Sequence, residues 1–159
     1  MSKDARFADG ADRALKLRAL DSDDLAVISS LAQDAVLTVS DMLWQRGGRR
    51  FAVLLNRFRW EDSDKAVHQE RSFERVRSML VLEDVQKVQS QGIDLGEKET
   101  VLSLLSIQFE PGEDGTGRVV LTFAGDGAVA VEVEALEAVL QDVTQPYSAP
   151  SGRVPSHGE

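Results

Sequence analysis

Cysteine is absent from this chain, which excludes disulfides, thiolate metal sites and cysteine nucleophiles. Histidine is nearly absent too: His68 lies in a charged stretch and His157 close to the C-terminal end. Neither has a partner at metal-ligand spacing, and a zinc ion would need carboxylates that no pattern singles out. No apolar run approaches the roughly 18 residues that suggest a membrane span. The opening MSKDARFADG lacks the apolar stretch of a secretory signal. Positive charge is also scarce: a net charge of −9 argues against broad nucleic-acid binding. A reducing cytoplasm suits a chain without cysteine.

What is present reads as a soluble globular protein, with 42% apolar and 28% charged residues. A length of 159 residues leaves room for one domain and its tails. Residues 1–13 are expected to be a disordered leader and 14–143 a single domain. Residues 144–159 are expected to be a disordered tail, because three of the four prolines fall there. Charge is unevenly divided. Between Arg46 and Arg77 stand nine Lys/Arg against five Asp/Glu, so the remainder carries nine against twenty-two. A cationic middle in an acidic protein can hold one anionic group locally.

The periodicities alternate between helix and strand. Leu15, Leu17 and Ala19 suggest a short strand. Asp21 is a good N-cap, Asp23 and Asp24 suit the positive end of a helix, and Leu25, Ile28, Leu31 and Ala32 give that helix one apolar face. Strands are expected at 35–44 (with a bulge at Ser40-Asp41), 50–60, 73–83, 85–91, 101–109, 118–124 and 128–133. Gly47-Gly48 and Gly125-Asp126-Gly127 supply hairpin turns. After the last strand, Leu136, Val139, Leu140 and Val143 fall on one helical stripe, predicting a helix over 134–143. The expected fold is therefore α+β. It is a curved antiparallel sheet or partly open barrel of about seven strands, closed by a C-terminal helix and preceded by an N-terminal one. That layout is like the pleckstrin-homology fold, a likeness of layout that carries no function.

The strongest constellation is cationic. Arg57 and Arg59 lie two apart on one strand, and Arg75 and Arg77 on the next. A hairpin register that sets Leu54 beside Leu80 and Phe58 beside Val76 also sets Arg57 opposite Arg77 and Arg59 opposite Arg75. Like charges directly opposite destabilise a pair by about 0.2–1 kcal/mol, and a bound carboxylate or phosphate would reverse that sign. The plainer alternative is a solvated face whose arginines splay apart or pair with Glu61, Asp62, Glu70 and Glu74. Trp60 and Trp44 are candidate anchors of a binding surface, or else rim packing at strand ends.

Catalytic signals are weak. His68, Glu70 and a serine form no fixed arrangement. Gly112 to Gly117 is too acidic for a phosphate loop and lacks its lysine. No catalytic residue, metal ligand or cofactor is expected.

The strings LKLRALDSDDLAVISSLAQDAVLTVSD, FAVLLNRFRWE, ERVRSMLVLEDVQKVQSQGID and VEVEALEAVLQDV resemble a family of small bacterial proteins known as domain of unknown function 2948. LNRFRWE and QSQGID are the most specific parts, and the likeness runs from Leu15 to Val143. The resemblance implies a single-domain soluble bacterial protein and adds no mechanism.

The expected function is a non-catalytic binding or scaffolding module with a protein partner. Its contact surface lies in the Arg46–Arg77 region or at an exposed strand edge such as Val85–Gln91. The alternative is an anion or nucleic-acid binder using Arg57, Arg59, Arg75 and Arg77, with Trp60 beside them.

Overall fold

Asp21 sets the first helix. Its Oδ1 accepts the Asp24 amide at 2.8 Å, and the acidic first turn favours the positive helix end. The computed structural model describes residues 14–62 and 74–144, together with the backbone of 147–148. The expected leader, most of the Glu61–Ser72 loop with His68, and the end of the expected tail with His157 lie outside the described residues.

Strand β1 (Lys16–Ala19) leads into helix α1 (Ser22–Ala32), which buries Leu25, Ile28 and Ala32. Then follow β2 (Val36–Thr38), a 3-10 turn at Val39–Asp41, β3 (Met42–Gln45) and β4 (Arg50–Phe58). A second 3-10 turn spans Trp60–Asp62. Next come β5 (Glu74–Leu82), β6 (Val85–Gln91), β7 (Val101–Pro111), β8 (Gly117–Phe123), β9 (Ala128–Val133), β10 (Ala138–Asp142) and the two-residue β11 (Tyr147–Ser148). The sheet runs β1-β10-β5-β4-β2-β7-β8-β9-β6, with β3 on β4 and β11 on β5. Every pairing is antiparallel, and among the described residues the sheet does not close on itself.

Two local devices bend it. What the sequence suggests as a bulge at Ser40-Asp41 is the 3-10 turn, in which Asp41 Oδ2 accepts the Thr38 amide at 2.8 Å. The turn splits one expected strand in two: β2 lies between β7 and the end of β4, whereas β3 lies on the first half of β4. Strand β7 is itself shared. Its start pairs with β2, and from Leu104 on, through a register shift before Ser106, it pairs with β8. Helix α1 covers the edge of β7 that β2 is too short to reach, where Ser29 Oγ accepts the Ile107 amide at 2.8 Å.

The hairpin of β8 and β9 forms as expected, with Val119, Leu121, Phe123, Val129, Val131 and Val133 all buried. Gly125 and Asp126 take φ of 85° and 70° in its turn. The helix expected over 134–143 is corrected. Residues Ala138–Asp142 form β10, hydrogen-bonded between β1 and β5. Leu136 and Leu140 are four apart and satisfy both periods, but Leu136, Ala138, Leu140 and Asp142 are the buried set. That alternation is strand-like, and Val143 on the supposed helical stripe is 51% exposed. A C-terminal helix, and with it the pleckstrin-homology layout, is not what these residues make.

Candidate binding surface

Arginine sits at the end of the core face of β4. Phe51, Val53, Leu55 and Arg57 alternate inward and are all buried, Arg57 completely. The hairpin register differs by one residue from the expected one: Leu54 pairs with Met79, Leu55 with Ser78, Asn56 with Arg77, Arg57 with Val76 and Phe58 with Arg75. A shift of one flips each side chain to the other face. Thus Arg57 is not opposite Arg77, nor Arg59 opposite Arg75, and the repulsion of facing arginines does not arise. The observed register gathers Phe51, Val53, Leu55, Leu80 and Leu82 on one buried face, which outweighs the alternative pairing.

All five N–H groups of the Arg57 guanidinium find acceptors. Nε donates to Ser78 Oγ at 2.8 Å. Nη1 donates to the Phe58 carbonyl at 3.0 Å and to Glu61 Oε1 at 2.9 Å. Nη2 donates to Glu61 Oε2 at 3.0 Å and to Asp142 Oδ1 at 2.9 Å. Ser78 Oγ donates in turn to Asp142 Oδ1 at 2.6 Å, and Asp142 Oδ2 accepts the Leu15 amide at 2.8 Å. Burial alone lowers the pKa of this guanidinium. The hydrogen bonds and charges of Glu61 and Asp142 outweigh that, leaving it raised above its ordinary value. The network ties β4, β5, β10 and the approach to β1 together, and with every donor engaged it has none to offer a ligand.

The other sequence-singled residues surround it. Arg59 is buried and paired with Glu74 through Nη1, while its amide donates to the Glu74 carbonyl at 3.0 Å. Arg75 lies on the opposite face from Arg57, its guanidinium carbon 4.7 Å from the Phe58 ring centre. Arg77 is exposed on that outer face. Trp60 is half-buried: Nε1 donates to the Gln33 carbonyl at 2.9 Å and its ring sits 5.2 Å from that of Phe58. The four arginines do not converge on one surface. Arg57 and Arg59 are interior partners of carboxylates, whereas Arg75 and Arg77 lie on the other face, Arg75 buried and Arg77 exposed.

The sheet has open edges elsewhere, with β1 and β6 as its two end strands. Among the described residues strand β6 is paired with β9 alone, and Gln86, Lys87, Gln89, Ser90 and Gln91 are exposed. Strand β3 likewise has β4 as its one partner among the described residues. A groove of about 670 Å³ lies between them, lined by Trp44, Arg46 and Arg49 on one wall and Gln86, Lys87 and Val88 on the other. Its floor is fixed by the Val85 amide, which donates to the Arg49 carbonyl at 2.9 Å, and by an ion pair of Arg49 with Glu134. Trp44 and Val88 pack partly into the core. The edge at Val85–Gln91 was legible from its polarity. That β3 faces it was not, because the splitting of the 35–44 strand was not visible.

Among the described residues no group of three or more His, Asp or Glu is placed to hold a metal ion. No helix there is long and apolar enough to cross a membrane. A protein-family model described as "Protein of unknown function (DUF2948)" matches residues 15–157. No curated protein and no solved structure matches the chain.

Proposed function

The chain belongs to the DUF2948 family, and from that premise we propose that it is a non-catalytic binding module whose contact surface is the outer edge of β6. An extended segment of a partner protein adds there as a further strand, its main chain completing the ladder that β9 starts on the other side. The observation that carries this is the end position of β6, which has no strand on its outer side among the described residues and a row of exposed polar side chains. Strand edges of this kind are ready templates for another chain. The alternative of an anion site at Arg57, Arg59, Arg75 and Arg77 has less support, since three of the four are buried and Glu61, Asp142 and Glu74 already neutralise Arg57 and Arg59.

The test is affinity capture from the protein's own cells followed by cross-link mapping. Cross-links from a retained partner should concentrate on residues 85–91. Prolines placed one at a time along 86–91 should abolish capture at the alternate positions whose amides point away from β9, wherever the folded state, checked by circular dichroism, survives. Cross-links centred on β7 or on the Arg75 face would overturn the assignment.

A further inference from the structure

Resting on that reading, we propose that the added strand is acidic: an extended partner segment lies along β6 in the groove facing β3, with carboxylates towards Arg46 and Lys87 and an apolar residue on Trp44 and Val88. Charge complementarity carries the assignment. The protein as a whole is strongly acidic at −9, yet the groove is lined by Arg46, Arg49 and Lys87 against Glu134 alone. Glu134 is taken by Arg49. Arg46 and Lys87 have no ion pair among the described residues. A basic segment would meet Arg46 at short range, and Lys87 with only its cross-strand neighbour Glu132 to offset it; like-charge juxtaposition is what discriminates against wrong partners.

The other edge of β6 illustrates what this strand accepts. Its existing neighbour β9 reads Ala-Val-Ala-Val-Glu-Val, with Glu132 opposite Lys87, and the chain leaves it through Glu134. An apolar strand with one carboxylate, set opposite Lys87, already suits one side of β6. The outer side offers the same lysine together with Arg46 and the half-buried Trp44. A second copy of the chain fits poorly, because β6 contributes Val-Gln-Lys-Val-Gln-Ser-Gln and no carboxylate. At about 3.3 Å per residue the seven residues of β6 give some 23 Å of edge, enough for a segment of five to seven residues.

The experiment is selection of a randomised ten-residue peptide library on the full-length protein and on an Arg46→Glu/Lys87→Glu variant. Both side chains are exposed; because Lys87→Glu also sets a like charge opposite Glu132, binding is compared at a temperature where thermal unfolding shows both proteins folded. Selected peptides should be rich in Asp and Glu, and a representative should bind the variant at least tenfold more weakly by fluorescence anisotropy. Methylating its alternate backbone amides should abolish binding. Neutral or basic peptides that still need their backbone amides would overturn the acidic assignment and leave strand addition standing. Acidic peptides indifferent to amide methylation would overturn strand addition itself. No enrichment over background would overturn both. A concentration-dependent dimer of the protein, lost in the variant, would give the edge to a second copy and overturn the proposal.

Discussion

Without the Arg57 guanidinium, Asp142, whose side chain has no exposed surface, would face Ser78 and the Leu15 amide with its charge uncompensated. Breaking a buried pair by removing one partner costs about 3–5 kcal/mol. Arg57→Met should therefore lower unfolding stability by about that amount in urea titrations. Arg57→Met/Asp142→Leu should cost less than the two single changes summed, by about 0.5–3 kcal/mol. Additivity of the two would show that they do not act as one unit. The pH sign follows from the raised Arg57 pKa. A base whose folded-state pKa is raised stabilises fully below its unfolded value and loses that only as pH climbs through the folded one. The difference between the native chain and Arg57→Met should accordingly stay flat from about pH 6 to 9, well below any guanidinium titration. A difference that shrinks in mild alkali would contradict the assignment.

At the scale of elements, the strands were legible where alternation was unambiguous. Val119, Leu121 and Phe123 facing Val129, Val131 and Val133 leave no helical alternative. Asp21 marks α1 because its side chain can only help an amide two or three positions on. Residues 134–143 misled because Leu136 and Leu140 serve both periods, and short segments take their state from the partners that tertiary structure supplies. Here β5 and β1 supply two ladders. The hairpin register differs by one residue because no pattern in the sequence shows that Arg57 has buried acceptors at Glu61 and Asp142. Two substitutions test the elements. Val139→Pro in β10, flanked by strands on both sides, should cost more than 3 kcal/mol, as proline does where a central ladder is broken. Near-native stability would mean that β10 is not a paired strand. Gly117→Ala would bring a methyl group to 2.5 Å from Phe109 Cζ and 2.6 Å from the Glu110 carbonyl. Overpacking of that kind should cost about 1–3 kcal/mol by thermal or chemical unfolding.

For the whole molecule, the open sheet poses a solubility problem as well as a binding opportunity. Lys87 is the single charge on β6, and lysine on an edge strand blocks unwanted pairing. Lys87→Val should make the protein self-associate with rising concentration in sedimentation velocity, whereas the native chain stays at one state. An unchanged profile would mean that β6 is protected by something other than its lysine. The most direct measurement is amide hydrogen exchange along β6, with and without a peptide selected as above. Amides that point towards β9 should be slow in both states. The alternate, outward-pointing amides between 86 and 91 should be fast in the free protein and become slow on binding. Protection appearing instead around Arg75 and Arg77, or no change along β6 at saturation, would contradict strand addition at this edge.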